Sequence, residues 1–338
     1  MSGTVLVTGG SGYIGGFVIR QLVAEGWQVH TTIRNLAREA EVRGWLGVPD
    51  AQLKFFAADL LSDDGWADAN AGCSHVVHVA SPLPTGSIKH DDDLVVPARE
   101  GALRALRFAK AAGVTRFVMT SSVAAITNGH RQKVANYTEA DWTNLATPGV
   151  HAYPKSKTIA ERAARDWMVR EGSGMTYCSV NPALVLGPVL SPDFSGSLEV
   201  ITRLLSGSLP GLPDIGFGVV DVRDVADLHV RCLTSDKVAG ERFIASGPFM
   251  KMAEVGAILR ERLGQEARKV PTRRLPDFVL RIAGLFDPAI KMVASELGTV
   301  RRTDADHARE VLGWVPRDTA ETIVDTARSL IDHGIVKV

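Results

Sequence analysis

Three cysteines in 338 residues, a formal net charge of zero and no long apolar run set the first limits on this chain. Cys73, Cys178 and Cys232 lie far apart and lack the close spacing of a metal-ligand set, so no metal site is expected. Cys178 and Cys232 sit in or beside apolar runs, and all three cysteines read as small core hydrophobes in a reducing compartment. The 38 basic and 38 acidic residues balance. That leaves no cationic surplus to neutralise a phosphate backbone, which argues against a nucleic-acid partner. No stretch approaches the roughly 20 apolar residues of a spanning helix, so no membrane span is expected. Thr4-Val5-Leu6-Val7-Thr8 stops at Gly9, too short for the core of a signal peptide, and the expected location is the cytoplasm.

What is present is ordinary for a globular chain: 45% hydrophobic and 22% charged residues,. The length suits one large domain with a smaller lobe. Short β-branched runs alternate with helical patterns through the first half. Strands are expected at 5–7, 27–33, 53–57, 76–79, 116–119 and 175–180, with helices at 12–25, 92–112 and 153–171 between them. Such β-α-β-α order without a tandem period points to an α/β, doubly wound parallel (Rossmann) sheet. After Asn181-Pro182 the composition changes. Prolines 188, 192, 210 and 213 punctuate a loop-rich segment, followed by a strand at 217–222, a helix from near Asp224 and a strand at 242–245. The expected division is 1–182 plus 217–246 for the nucleotide domain, and 183–216 plus 247–338 for a discontinuous substrate lobe. The cleft belongs at the carboxyl ends of the strands.

Directly after the first strand runs Thr8-Gly9-Gly10-Ser11-Gly12-Tyr13-Ile14-Gly15-Gly16. Gly9, Gly12 and Gly15 have GxxGxxG spacing. Glycines there let the backbone turn tightly and approach a pyrophosphate, which the N–H groups opening the next helix then hold. Alone the pattern marks only a tight turn; between a strand and a helix near the chain's start it marks a dinucleotide site. Gly9, Ser11, Gly12, Tyr13, Ile14 and Gly15 are therefore the expected cofactor loop. An NAD enzyme usually ends its second strand with a carboxylate for the ribose. Here Thr31-Thr32-Ile33-Arg34-Asn35 offers none. Arg34, with Arg38 a helical turn on, suits the 2′-phosphate of NADP(H). Asp59 and Leu60, just past the third strand, are placed to meet the adenine edge.

Tyr153-Pro154-Lys155-Ser156-Lys157 sets a tyrosine and a lysine four apart, on one helical face. An ammonium beside a phenol favours the phenolate and is expected to lower the tyrosine's pKa from about 10. Such a tyrosine can give a proton to a carbonyl oxygen as hydride arrives. Pro154 fits only a first turn, so the helix should begin close to Tyr153. A bare YxxxK pair also occurs on exposed helices. Thr120-Ser121-Ser122, following the fifth strand, adds hydroxyls that can orient a substrate oxygen.

Taken together, TGGSGYIGG, the Ser121-Ser122 pair, YPKSK and Asn181-Pro182-Ala183-Leu184-Val185-Leu186-Gly187-Pro188 resemble the extended short-chain dehydrogenase/reductases. His78-Val79-Ala80-Ser81-Pro82, Arg34 and Arg116-Phe117-Val118-Met119-Thr120-Ser121-Ser122 resemble the branch of dihydroflavonol 4-reductase, cinnamoyl-CoA reductase and yeast-type aldehyde/ketone reductases. Leu312-Gly313-Trp314-Val315-Pro316 is similar to that family's C-terminal signature. The resemblance implies Ser122 as catalytic serine, Tyr153 as acid/base, and Lys157 as partner of the nicotinamide ribose and of Tyr153. It also implies that Val79, Ala80, Ser81 and Thr120 line the cofactor and that Pro182, Leu184 and Val185 pack along the nicotinamide. His78 reads as a buried strand histidine, His151 as a loop histidine, and Ser121 as a support for the loop.

The expected activity is NADPH-dependent reduction of an aldehyde or ketone, reversible as alcohol oxidation. The chain departs from the plant enzymes in two places. Thr127-Asn128 does not cleanly match the asparagine of dihydroflavonol reductases, and Gly149-Val150-His151-Ala152 lacks the cinnamoyl-CoA reductase signature. Leu83, Ile88, Leu190, Phe194 and Leu198 suggest a hydrophobic substrate for a monomer or homodimer. A nucleotide-sugar epimerase or dehydratase is the first alternative. Val123-Ala124-Ala125 after Ser122 lacks the dehydratase's acidic pair, and Arg34 disfavours tightly held NAD. A non-catalytic NADP-sensing protein is the second, and the intact Ser122, Tyr153 and Lys157 weigh against it.

Overall fold

The computed structural model describes residues 3–82, 90–191 and 196–338. In chain order its strands are β1 (Thr4–Thr8), β2 (Gln28–Ile33), β3 (Leu53–Ala57), β4 (His75–His78), β5 (Arg116–Thr120), β6 (Val134–Tyr137), β7 (Thr176–Pro182), β8 (Leu184–Leu186), β9 (Gly216–Asp221), β10 (Arg242–Ala245), β11 (Phe249–Lys251) and β12 (Val300–Thr303). Its helices are α1 (Tyr13–Ala24), α2 (Glu39–Leu46), α3 (Trp66–Asn70), α4 (Asp92–Ala111), α5 (Ala152–Glu171), α6 (Glu199–Ser206), α7 (Val222–Thr234), α8 (Met252–Leu263), α9 (Asp277–Ala283), α10 (Pro288–Ser295), α11 (Asp306–Leu312) and α12 (Thr319–Asp332).

Seven strands form one parallel sheet in the order β10-β7-β5-β4-β1-β2-β3. The order reverses at β1, next to β4, which opens a crevice above the carboxyl ends of both strands. Parallel strands covered on both faces must be apolar throughout. Val5, Leu6 and Val7 are fully buried accordingly. One face packs α1 and α7 through Val18, Leu22, Val225 and Leu228. The other packs α4 and α5 through Ala102, Leu106, Ala160 and Ala164, whose small side chains let the two helices lie close.

The lobe is built on a second sheet, β11-β9-β8, and a two-stranded pair, β12-β6. Here the structure corrects the expected division. The strand at 217–222, assigned to the nucleotide domain, is the centre of the small sheet, paired with β8 and β11. The β8 run is only three residues long and follows Ala183, so spacing alone does not announce it. Helix α7 starts at Val222, two residues before Asp224, where the Asp221 carboxylate accepts from the Arg223 N–H at 2.8 Å and caps it,.

The C-terminal segment closes the molecule. Trp314 is fully buried and its Nε1–H donates to the Asp224 carbonyl at 2.9 Å. Arg317 binds the Asp224 carboxylate through Nε (2.9 Å) and Nη2 (2.8 Å), and its backbone N–H donates to the other oxygen at 2.8 Å. From α12, Thr326 and Ser329 accept the N–H groups of Gly187 and Val189.

Candidate active site

Beyond β1 the chain turns at Gly9 with φ +74°, a conformation that costs glycine little. The loop is tied to β2: Gly9 N–H donates to Thr32 Oγ1 and Gly10 N–H to the Thr32 carbonyl, both at 3.1 Å. A Cβ on Gly10 would lie 2.1 Å from Thr31 Oγ1, and one on Gly15 would lie 2.4 Å from the Gly9 carbonyl oxygen. Those two glycines serve close packing of loop, helix and strand. Gly12 differs. It is exposed, has φ −85°, and its Cβ would meet only the Gly9 oxygen, at 3.1 Å. It caps α1 without a side-chain acceptor, so first-turn N–H groups stand ready for an anion. That uncapped helix end, beside half-buried Ser11, fits a dinucleotide pyrophosphate.

Tyr13 and Ile14 are half-buried and pack against the core at the start of α1. The Tyr13 ring meets Phe17 edge-on at 6.0 Å. Its hydroxyl is buried with no hydrogen-bond partner among the described residues. Burial and the nearby Asp221 carboxylate hold it protonated by raising its pKa. Ile14 packs on the core of the α1 face. Their backbone N–H groups remain for a phosphate.

At the end of β2, Arg34 is exposed and has no ion pair among the described residues. Arg38 is engaged instead: its Nε lies 2.9 Å from Glu41 and its guanidinium sits 5.3 Å from the Trp45 ring centroid. The two arginines expected to act together are therefore unequal. Asp59 is half-buried and its carboxylate accepts the Leu61 N–H at 2.8 Å, while Leu60 packs against Gly101. Both shape the turn past β3.

Ser122 follows β5 and its Oγ accepts the Ala124 N–H at 3.1 Å, capping a short turn. The same hydroxyl donates to the Pro182 carbonyl at 3.5 Å, and Ser122 offsets part of the rise that burial imposes on the Tyr153 pKa. Helix α5 begins at Ala152, one residue before the tyrosine. Pro154 then falls in the first turn, where a missing N–H breaks nothing. Lys157, one turn on and buried, sits 5.9 Å from the Tyr153 ring centroid and donates to Ser81 Oγ at 3.0 Å.

The electrostatics correct one expectation. Burial raises the Tyr153 pKa above 10, with Ser122 pulling it back in part. The ammonium is not among the groups that lower it, because the Lys157 amine loses its charge before the phenol ionises. Burial in turn brings Lys157 down to about 8, opposed by the Glu161 carboxylate.

Other expected contacts divide. Ala80 N–H donates to Thr8 Oγ1 at 3.0 Å, and that hydroxyl also meets His78 Nδ1 at 2.9 Å. His78 is buried and driven to a pKa of about 3 by burial and Lys157, so it is the neutral strand histidine expected. His151 is exposed at the start of α5. Thr120 is corrected. His229 Nδ1 faces the Val225 carbonyl at 2.7 Å and so carries the hydrogen; its Nε2 then accepts from the buried Thr120 hydroxyl at 2.7 Å,. Val185 belongs to the buried core, while Val79 and Leu184 are partly buried against it. Leu198, expected near the substrate, packs in the lobe core, whereas half-buried Leu190 lines a cavity beside Gly10, Ser11 and Gly12. Leu83, Ile88 and Phe194 lie outside the described residues.

Sequence reasoning missed Thr31 and Thr32, whose hydroxyls fix the glycine loop, and the fully buried Glu161 with its partner Arg242. The signals were polar residues ending an apolar strand, and a carboxylate four residues past Lys157 on the same helical face.

Comparison with known proteins is consistent with this geometry. Residues 5–245 match the NAD dependent epimerase/dehydratase family. Dihydroflavonol 4-reductase of Gerbera hybrida is 31% identical over 268 residues, covering 77% of this chain and 72% of that protein. An anthocyanidin reductase ((2S)-flavan-3-ol-forming) of Vitis vinifera is 29% identical over 308 residues, covering 86% and 87%. Among solved structures, a yeast methylglyoxal/isovaleraldehyde reductase complexed with NADPH superposes with a TM-score of 0.82 at 25% identity, covering 98% of this chain and all of that one.

Proposed function

The chain belongs to the NAD dependent epimerase/dehydratase family, and from that membership we propose an NADPH-dependent oxidoreductase that reduces an aldehyde or ketone. The expected kinship with extended short-chain reductases is borne out by the relatives, which are named as reductases. The observation that carries the reading is the convergence of Ser122, Tyr153 and Lys157 above the crevice, beside an uncapped helix start. Bound NADPH supplies the hydride. Tyr153, with its pKa raised by burial, holds its proton at neutral pH and donates it to the carbonyl oxygen. The Ser122 hydroxyl, capping the turn after β5 and facing the Pro182 carbonyl, orients the same oxygen. The Lys157 ammonium is the group for the ribose, exchanging Ser81 for its hydroxyls. Arg34, exposed after β2, is the side chain for the 2′-phosphate, ahead of Arg38, which already has Glu41.

The substrate is a small molecule. Of the two described residues offered as a hydrophobic lining, Leu198 is buried in the lobe core and Leu190 lines a cavity beside the glycine loop. Three free, buried cysteines suit a reducing, cytoplasmic setting. The test is a panel of aldehydes and ketones, including methylglyoxal and isovaleraldehyde, mixed with the chain and NADPH while nicotinamide oxidation is followed. Consumption of NADPH with at least one carbonyl is expected; turnover of a nucleotide sugar without net NADPH loss would overturn the reading.

A further inference from the structure

Glu161 is fully buried on α5, one turn past Lys157 and two past Tyr153. A buried carboxylate is tolerated only when its lone pairs are filled. Here the donors come from strands β7 and β10 and from the turn after β5. Oε2 accepts from Ser121 Oγ at 2.5 Å and Asn181 Nδ2 at 2.9 Å, and Oε1 from Ser179 Oγ at 2.8 Å. Arg242, 5% exposed on β10, gives Nε to Oε1 at 2.6 Å and Nη2 to Oε2 at 3.3 Å. The guanidinium is itself held by the carbonyls of Glu139 and Asp141, both at 2.7 Å, and lies 3.8 Å from the Trp142 ring centroid.

The donors adjoin the reacting groups on both sides. Ser121 precedes Ser122 in the chain. Asn181 Nδ2 also donates to the Ser122 carbonyl at 3.2 Å, and it precedes Pro182, whose carbonyl meets the Ser122 hydroxyl. We infer that Glu161 is a positioning residue: its carboxylate fixes the Ser122 loop and the helix carrying Tyr153 and Lys157 in one frame, and is the negative charge facing the Lys157 ammonium. This rests on the reductase reading for its kinetic consequence, but the titration of Lys157 can be followed without cofactor or substrate. Besides Glu161, the groups facing Lys157 are Tyr153 on α5 and His78 on β4. Arg242 stands behind Glu161, and on α4 Arg99 and Glu100 pair with each other, partly exposed. His78 stays neutral, so Glu161 is the opposing charge that keeps the buried amine protonated.

The test compares Glu161→Gln and Glu161→Asp with the parent chain in kcat, NADPH affinity and the titration of Lys157 by carbon NMR, its signal assigned through Lys157→Met. For Glu161→Gln, kcat should fall about tenfold or more through misplacement of the reacting groups, with NADPH affinity within about threefold of the parent. Lys157 should titrate about one pH unit lower once the opposing charge is gone. Glu161→Asp should restore the titration while recovering kcat only in part. Parent-like kcat and Lys157 titration in Glu161→Gln, with only a lower melting temperature, would overturn the inference. Should Glu161→Gln not fold, Ser121→Ala removes a single donor and leaves the charge paired by Arg242. Its kcat should fall about fivefold, a loss of about 1 kcal/mol in alignment, and an unchanged kcat would again overturn the inference. A parent chain without carbonyl reduction would sink the reductase reading but leave the titration arm to decide.

Discussion

At the scale of single residues, the chemistry turns on a phenol and an amine whose pKa values burial pushes in opposite directions. Tyr153→Phe keeps the ring and deletes the proton donor, so reduction should slow by roughly 10²–10⁴-fold, with NADPH affinity unchanged. A variant retaining more than about a tenth of parent turnover, less than 1.4 kcal/mol of lost stabilisation, would refute the role of the phenol. The pH dependence has a definite sign. Lys157 titrates near 8 and Tyr153 above 10. As pH rises through about 8 the ammonium is lost first, so kcat/KM for NADPH, which reports the cofactor-free chain, should decline there before the phenol ionises. Arg34→Ala should weaken NADPH by about 1.4–2.8 kcal/mol, one or two powers of ten, for a lost charge-assisted contact. Equal weakening of NADH in a parallel titration would show that Arg34 does not read the 2′-phosphate. Much at this scale could be read from the sequence, because Tyr153, Lys157 and Ser122 sit at fixed offsets from a helix start and a strand end. The direction of the Tyr153 shift could not, since it is set by how deeply the fold buries the phenol and the amine.

Among the elements, the turn from β1 into α1 separates two kinds of glycine. At Gly12 the backbone is ordinary and the space open except for one oxygen at 3.1 Å. Gly12→Val should therefore fold with a near-parent circular dichroism spectrum, yet lose NADPH binding as the side chain occupies the anion's approach. Gly15→Ala drives a methyl to 2.4 Å from the Gly9 carbonyl, so it should lower the melting temperature as well. If both variants melt like the parent and bind NADPH, the loop is only a turn. Alternating strand and helix patterns made the seven-stranded sheet readable, and Arg242–Ala245 was expected at the bounds observed. The strands that escaped are β6, β8, β11 and β12, each of three or four residues. Runs that short carry no period, and their pairing is fixed by partners far along the chain. The placement of β9 failed for the same reason: a strand's sequence does not say which sheet it joins.

For the molecule as a whole, the two sheets and the C-terminal segment are joined through α7. Trp314 is fully buried against it and satisfied by the Asp224 carbonyl. Trp314→Ala should cost about 3–5 kcal/mol, measurable by urea unfolding, with the m-value retained if the sheet still folds as one unit. A loss below 1 kcal/mol would mean that this segment merely rests on the surface, as surface changes usually stay within about ±0.5 kcal/mol. The contact spans 90 residues, and Arg317 spans 93 to the same aspartate. During synthesis, then, helix α7 emerges long before the residues that cover it. A chain arrested short of Trp314 leaves the Asp224 end of α7 uncovered and open to chaperones and proteases. Variants that lose the Trp314 and Arg317 contacts should accordingly be cleared faster than the parent chain.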